Sequence, residues 1–456
     1  MQAWKSPGCR GAARRNNSAG PNQADGEVVD TMSEATEQGA GPPGSGMRMD
    51  VGAAAGLGLL LAIAYVGFVS LGLPDPVAGV AWPFVRQEFA LPQRGFGLTF
   101  IALGAGYCLS SFLGGKLTPA LGLGNLLWIS SGLVSLAMFG NALAPVWGVM
   151  IACSVVWGLG SGGIDAGLNA YVSRHFSARH VNWLHACYSL GATLGPLLMT
   201  LMISTLSSWR LGYALVGGIL LAMTVMFLAT RDRWTDPVPA SADATATSPV
   251  GLWAALGHLL VWLQICLFFL YTGLEFTVGQ WCFSVLTGSR GVSPEVAGAM
   301  TSGYYAAIGV GRVLTGAISH RIGLDTLVRL AMATAVAGVG LFAFGGSPAS
   351  LPGLLLVGLG LAPVFPCLMS RTPQRLGHDV AVHAVGFQVS AAMLGAATPG
   401  LVGLFVDRMG LELIPRFALV LAGLLFVTHE VLLRRQPQQA VDTDGAENAG
   451  AVESVL

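Results

Sequence analysis

Charge is what this chain has least of. Only 10% of its 456 residues are Asp, Glu, Lys or Arg, while 53% are hydrophobic and mean hydropathy is +0.65. A soluble protein carries about 25% charged residues, so a water-solvated globular fold is excluded and most of the surface belongs against lipid. Formal net charge is zero, which leaves no basic surface for nucleic acid. Cysteine is equally sparse, with seven residues and no CxxC pair. Cys108, Cys153, Cys187, Cys266, Cys282 and Cys367 lie in apolar stretches and only Cys9 does not. Neither a disulfide framework nor a metal site is supported, and the cysteines read as small packing residues. There is no Walker-type phosphate loop, no GxSxG turn and no HExxH helix. No enzyme activity, metal or cofactor is expected.

What is there is a succession of apolar runs. Crossing a hydrocarbon core takes about 20 residues, and twelve runs reach that length. They fall near 55–83, 96–120, 123–143, 146–173, 181–206, 210–230, 253–287, 295–320, 325–345, 351–371, 381–406 and 412–433. The expected fold is an all-α polytopic membrane protein, with twelve transmembrane helices in two pseudo-symmetric six-helix bundles at 51–230 and 251–435. The polar stretch 231–250 reads as a cytoplasmic linker. The tails 1–50 and 436–456 read as disordered, being polar and without apolar periodicity. Glycine is abundant at 63 residues, as helices packed closely in lipid require.

Orientation follows the excess of Lys and Arg in short loops. With the N-terminus inside, the inner side holds Arg48, Lys116, Arg174, Arg179, Arg231, Arg233, Arg321, Arg329, Arg371, Arg375, Arg434 and Arg435. The outer side holds half as many: Arg86, Arg94, Arg210, Arg290, Arg408 and Arg416. Both termini are therefore placed in the cytoplasm.

The halves repeat. FVSLGLPDPVAG at 68–79 matches FFLYTGLEFTVG at 268–279, setting Asp75 over Glu275. WGLG at 157–160 meets VGLG at 357–360, and GGKLTPALG at 114–122 meets TGAISHRIG at 315–323. Nearly equal offsets from three helix pairs point to a duplication, which is how many carriers are built.

Two groups of six helices joined by a polar linker resemble the major facilitator superfamily. Its inner-loop pattern G-x-L-x-D-R-x-G survives in part. Gly115, Leu117 and Gly122 remain in the first copy, and Gly316, Arg321 and Gly323 in the second. Pro119 and His320 stand where the pattern has its acid, so the family's acidic latch is not carried over. GGIDAGLNAYV on span four, NWLHACYSLGATLGP on span five and GLEFTVGQW on span seven resemble the fucose permease group of proton-linked sugar carriers. In that group acids on spans one and four serve the proton and sugar steps, and Asp75 and Asp165 match them.

A charge at the centre of a membrane helix costs about 2.5–3.5 kcal/mol. Asp75, Asp165, Glu275 and Arg312 facing lipid would together cost roughly 10 kcal/mol, so they are expected to face the bundle interior. Burial disfavours a carboxylate anion and water access favours it. An acid that meets the two in turn loads and releases a proton. Asp75 lies between Pro74 and Pro76, which interrupt the helix and free backbone groups. The alternative role for Asp75 is capping that break. Asp165 and Asn169 share a helix face, and Asn182 and His185 enter from span five at a similar depth. These form either a proton relay, with His185 titrating near neutral pH, or a self-satisfied polar contact.

Proton coupling is thus assigned to Asp75, Asp165, Glu275 and His185. Solute contact is assigned to Asn169, Gln280, Trp281, Tyr188, Tyr304 and Gln388, with packing against neighbouring helices the alternative for the aromatic residues. Arg312 is read as structural. Gly191 and Gly195, which precede Pro196, resemble a pattern of drug–proton antiporters, but their spacing is also that of helix packing, the reading preferred here. Gating or packing is assigned to them with Arg312, Gly115, Gly122, Gly316, Arg321 and Gly323.

The resulting expectation is a monomeric, proton-driven carrier of a small polar solute, a sugar or sugar-like compound, in the inner (plasma) membrane. It works by rocking of two halves. The rivals are a proton-coupled efflux antiporter for amphipathic compounds and a non-transporting membrane ligand sensor. The latter would be marked by a soluble output domain, which neither tail resembles.

Overall fold

The computed structural model describes residues 51–176, 178–234, 252–319 and 321–436. The tail expected at 1–50, most of the linker expected at 231–250 and nearly all of the tail expected at 436–456 lie outside them. Among the described residues all regular structure is helical. Twelve spans follow in order. Span one comprises Val51–Gly72 and Val77–Glu88, and span two is Phe96–Leu121. Spans three to six are Leu123–Leu143, Trp147–His175, Ala178–Leu206 and Trp209–Thr230. Spans seven to nine are Leu259–Gly288, Pro294–Ile318 and Leu324–Phe344. Span ten comprises Gly346–Leu361 and Val364–Ser370, span eleven His378–Gly395 and Thr398–Met409, and span twelve is Leu413–Arg435.

Eleven of these are long and apolar enough to cross a membrane. The exception is span eight, which spends its buried face on Thr301, Ser302, Tyr304 and Tyr305 and also carries Glu295 and Arg312. Spans ten and eleven each break once, at Ala362–Pro363 and Ala396–Ala397. Pro363 and Pro399, the latter beside the second break, bring no N–H to a helical ladder, and each sits where a new helix starts.

Spans one to six pack on one another, as do spans seven to twelve, and the halves meet where spans one, two and five face seven, eleven and eight. The end where the chain enters and leaves is called near and the other distal. The distal end is tied within each half by an ion pair. In the first half Arg210 of span six reaches Glu88 of span one at 2.7 Å and donates to the Ala142 carbonyl of span three at 2.9 Å. In the second, Arg290 after span seven reaches Glu412 before span twelve at 2.9 Å and the Phe342 carbonyl of span nine at 2.6 Å. The positions correspond by the repeat, but acid and base have traded places.

Candidate functional site

Span one breaks around Asp75 because Pro74 and Pro76 have no N–H to give. The Leu73 N–H still reaches the Val69 carbonyl and the Val77 N–H turns back to the Pro74 carbonyl, both at 3.1 Å. The freed carbonyl of Asp75 accepts from Gln280 Nε2 of span seven at 2.8 Å. Its carboxylate accepts from the hydroxyl of Tyr188 on span five. That contact depends on spans one and five meeting backbone to backbone. A Cβ at Gly72 would lie 2.1 Å from the Tyr188 carbonyl oxygen, and one at Gly191 would lie 2.0 Å from that of Val69. Gly195 is similarly close to Leu73.

Deeper towards the near end, Asp165 accepts from Asn169 Nδ2 at 2.8 Å and from the hydroxyl of Tyr107 on span two. No hydrogen bond joins the His185 ring to Asp165 among the described residues; the ring packs edge-on against Phe68 with centroids 5.6 Å apart. The side chain of Asn182 lies outside the described residues. From the other half come Glu275, whose carbonyl accepts from the Tyr304 hydroxyl at 2.9 Å, and Arg312. Arg312 Nη1 crosses to span five, donating to Ser189 Oγ at 2.9 Å and to the His185 carbonyl at 3.3 Å.

Asp75, Tyr107, Asp165, Asn169, His185, Tyr188, Glu275 and Arg312 are all half-buried. Asp75 and Asp165 are within electrostatic reach of each other, as are Tyr188 and Glu275. Charged groups from both halves therefore meet around one cleft. Two expected solute contacts lie elsewhere. Gln388 is fully buried, with its amide used by Gln264 and Thr372 inside the second half. Trp281 is also fully buried, donating to the Pro399 carbonyl at 3.0 Å and packing on Phe96. Their polar atoms are occupied by neighbouring spans, which explains why neither faces the cleft. Tyr304 and Gln280 are buried too, but border Glu275 and Asp75.

Beyond Asp75 the distal end is closed. Gly97 and Gly400 touch, a Cβ on the first falling 2.8 Å from the second's Cα. Thr200 of span five presses on Gly298 of span eight. Asp407 of span eleven accepts from the backbone N–H of Gln93 and of Arg94 at 2.7 and 3.2 Å. With this end shut, the partial exposure of the charged groups is read as solvent entry from the near end.

At the near end, Gly122 turns the chain between spans two and three with φ of +76°, a conformation glycine adopts without steric cost. Gly316 and Gly323 have open space about them, the surroundings of Gly115 lie outside the described residues, and Arg321 lies in the turn after span eight. Five positions beyond the acid site of the second loop pattern lies Asp325. It accepts from Arg371 Nη2 at 2.9 Å and from Arg375 Nη2 at 2.6 Å, tying span nine to span ten.

The sequence pattern of the Major Facilitator Superfamily matches residues 57–399. The chain belongs to that superfamily. It is a multi-pass membrane transporter and not an enzyme. Among solved structures, the Escherichia coli fucose:proton symporter superposes with a TM-score of 0.56 at 17% identity, covering 82% of this chain and 98% of that one. A D-xylose–proton symporter gives 0.67 at 14% identity, covering 84% and 98%. In sequence, a hexuronate transporter of Bacillus subtilis is 26% identical over 228 residues, 47% of this chain and 53% of that protein. These identities establish a shared fold. Within it, Tyr107, Ser189, Asp325 and Asp407 are residues that the sequence did not single out. Only Asp325, five positions beyond the degraded acid site, left a trace there.

Proposed function

We propose that this superfamily member carries a sugar or sugar-like solute inward together with protons, by alternating access in the plasma (inner) membrane. The near end is assigned to the cytoplasm, in keeping with the Lys and Arg excess of its short loops. The observation that carries the reading is Asp75. A carboxylate sits in a helix break, at the boundary between the closed distal end and the open cleft, with the Tyr188 hydroxyl on it and Glu275 opposite it in the repeat. Rocking of the halves would expose it first to one side and then to the other, so a proton taken from outside is released inside. The hydroxyls of a sugar find acceptors in Asp165 and Asn169 and donors in the tyrosines. Each proton crossing 100 mV supplies about 2.3 kcal/mol, enough for roughly fortyfold accumulation.

Counterflow in proteoliposomes against labelled sugars, with and without an inward proton gradient, tests this. The parent accumulates its solute only with the gradient. Asp75→Asn loses gradient-driven accumulation and keeps exchange. Undiminished accumulation by that variant overturns the assignment of Asp75.

A further inference from the structure

We propose that the first half holds a built site for one ordered water molecule, bound by Trp157, Asn141 and Thr99 behind the distal contact. A cavity of about 10 Å³, measured as room for the centre of a water, lies among spans one, two, three, four and six. Roughly 10–15 Å³ on that measure is what one water needs. Three polar atoms on its wall residues, Thr99 Oγ1, Asn141 Oδ1 and Trp157 Nε1, are buried without a hydrogen-bond partner. Two other polar groups of the wall are already served. The Ser154 hydroxyl donates to the Met150 carbonyl at 2.9 Å, and Trp82 Nε1 donates to Gln93 Oε1 at 2.8 Å.

The chemistry of the three atoms selects the occupant. An indole N–H only donates, an amide oxygen only accepts, and a threonine hydroxyl does either. A water accepts from the first, donates to the second and completes the third, the about three bonds usual for a buried water. Among the described residues no charged side chain lines the cavity, so an ion there would be buried without compensation. An organic solute exceeds the volume. An apolar gas would leave all three atoms unpaired at a depth where lipid offers no substitute.

Every lining residue belongs to the first half. The site is therefore separate from the cleft between the halves, independent of the sugar-carrier reading, and carried intact if the halves rock as units. Its wall also bears on the distal contact. Phe96 stacks on Trp82 with centroids 4.9 Å apart and meets Trp281 of the second half edge-on at 5.1 Å. The water thus backs the rings on which the second half rests, tying span two to spans three and four.

The test is X-ray radiolysis of the purified full-length carrier, with oxidised residues read by mass spectrometry. Radiolysis turns an ordered water into a hydroxyl radical where it sits, so a buried side chain beside that water is oxidised. Trp157, only 1% exposed, is expected to be oxidised several-fold faster than Trp281, which is equally buried but donates its indole N–H to the Pro399 carbonyl. Asn141→Leu removes one of the water's three partners and sets methyl groups at the cavity, and the oxidation of Trp157 is lost. Thr99→Val stands in should that variant not fold, and the parent's comparison needs no variant. An experimental structure that resolves ordered water should show one density peak within hydrogen-bond distance of Trp157 Nε1, Asn141 Oδ1 and Thr99 Oγ1. Oxidation of Trp157 no faster than that of Trp281, oxidation unchanged in Asn141→Leu, or the absence of that peak overturns the proposal.

Discussion

Asp407 accepts a hydrogen bond from the backbone N–H of Gln93, 2.7 Å away on the other half of the molecule. The acceptor caps the short turn that opens span two, where backbone N–H groups have no helical partner and the helix dipole favours an anion. Gln93 is itself held, its side chain accepting from Trp82 Nε1 at 2.8 Å. The contact bridges the two halves at the shut distal end. Asp407→Asn should therefore weaken the closed state by about 1.5 kcal/mol, a roughly tenfold shift in the ratio of closed to open. Spin labels at Val146 and Val296, exposed distal positions on opposite halves, report this as a larger long-distance population. Identical distance distributions in parent and variant would refute the latch.

Gly191 tests the packing that brings Tyr188 to Asp75. Gly191→Ala places a methyl group 2.0 Å from a backbone oxygen of span one, and overpacking of this kind costs about 1–3 kcal/mol. The melting temperature should fall and gradient-driven uptake with it. Gly423→Ala, where a Cβ meets nothing within 4 Å, should leave both unchanged. Equal behaviour of the two variants would remove the argument.

Asp325 holds two arginines at the near end, and the side chain of Arg375 is only 3% exposed. Asp325→Asn leaves that guanidinium buried without a countercharge, a loss of roughly 3–5 kcal/mol. Arg371, 19% exposed, can turn to water, so Arg371→Gln should cost less. Thermal unfolding in detergent ranks the two, and the reverse order contradicts the assignment.

Glu412 gives a pH dependence with a defined sign. Hydrogen bonds from the Arg290 guanidinium hold its carboxyl below the ordinary 4.5, outweighing its partial burial. A folded-state value below the unfolded one means stabilisation that is complete above the unfolded value and lost as pH falls through the folded one. Glu412→Gln should lower the melting temperature at pH 7, and the gap to the parent should close on acidification below about pH 4.5. A gap that stays constant down to about pH 3 would show that the pair contributes nothing.

Most of the fold could be read in the residues because lipid imposes a simple rule: every backbone group is satisfied within its own helix, so length and hydropathy locate the spans. The break at Asp75 was legible from its two prolines. The second breaks in spans ten and eleven were not, since Pro363 and Pro399 sit in apolar context that reads as continuous. At the site, acids inside apolar runs were conspicuous, but their partners were not. A tyrosine such as Tyr107 has no sequence feature that distinguishes a hydrogen-bonding role from packing. Gln388 and Trp281 were placed by type and depth alone; helix rotation put Gln388 inside the second half and Trp281 against Phe96 where the halves meet. Asp407 was invisible because a charge at the end of a span is ordinary; only the tertiary structure brings it to Gln93.

The traded ion pairs at the distal end constrain assembly. Two halves of similar shape offer the growing chain a wrong choice, in which span six docks on span seven or span twelve on span one. The first would set Arg210 against Arg290 and the second Glu88 against Glu412. Like charges then repel at the very positions where the correct partners attract, so each half recognises its own closing helix and rejects that of its twin.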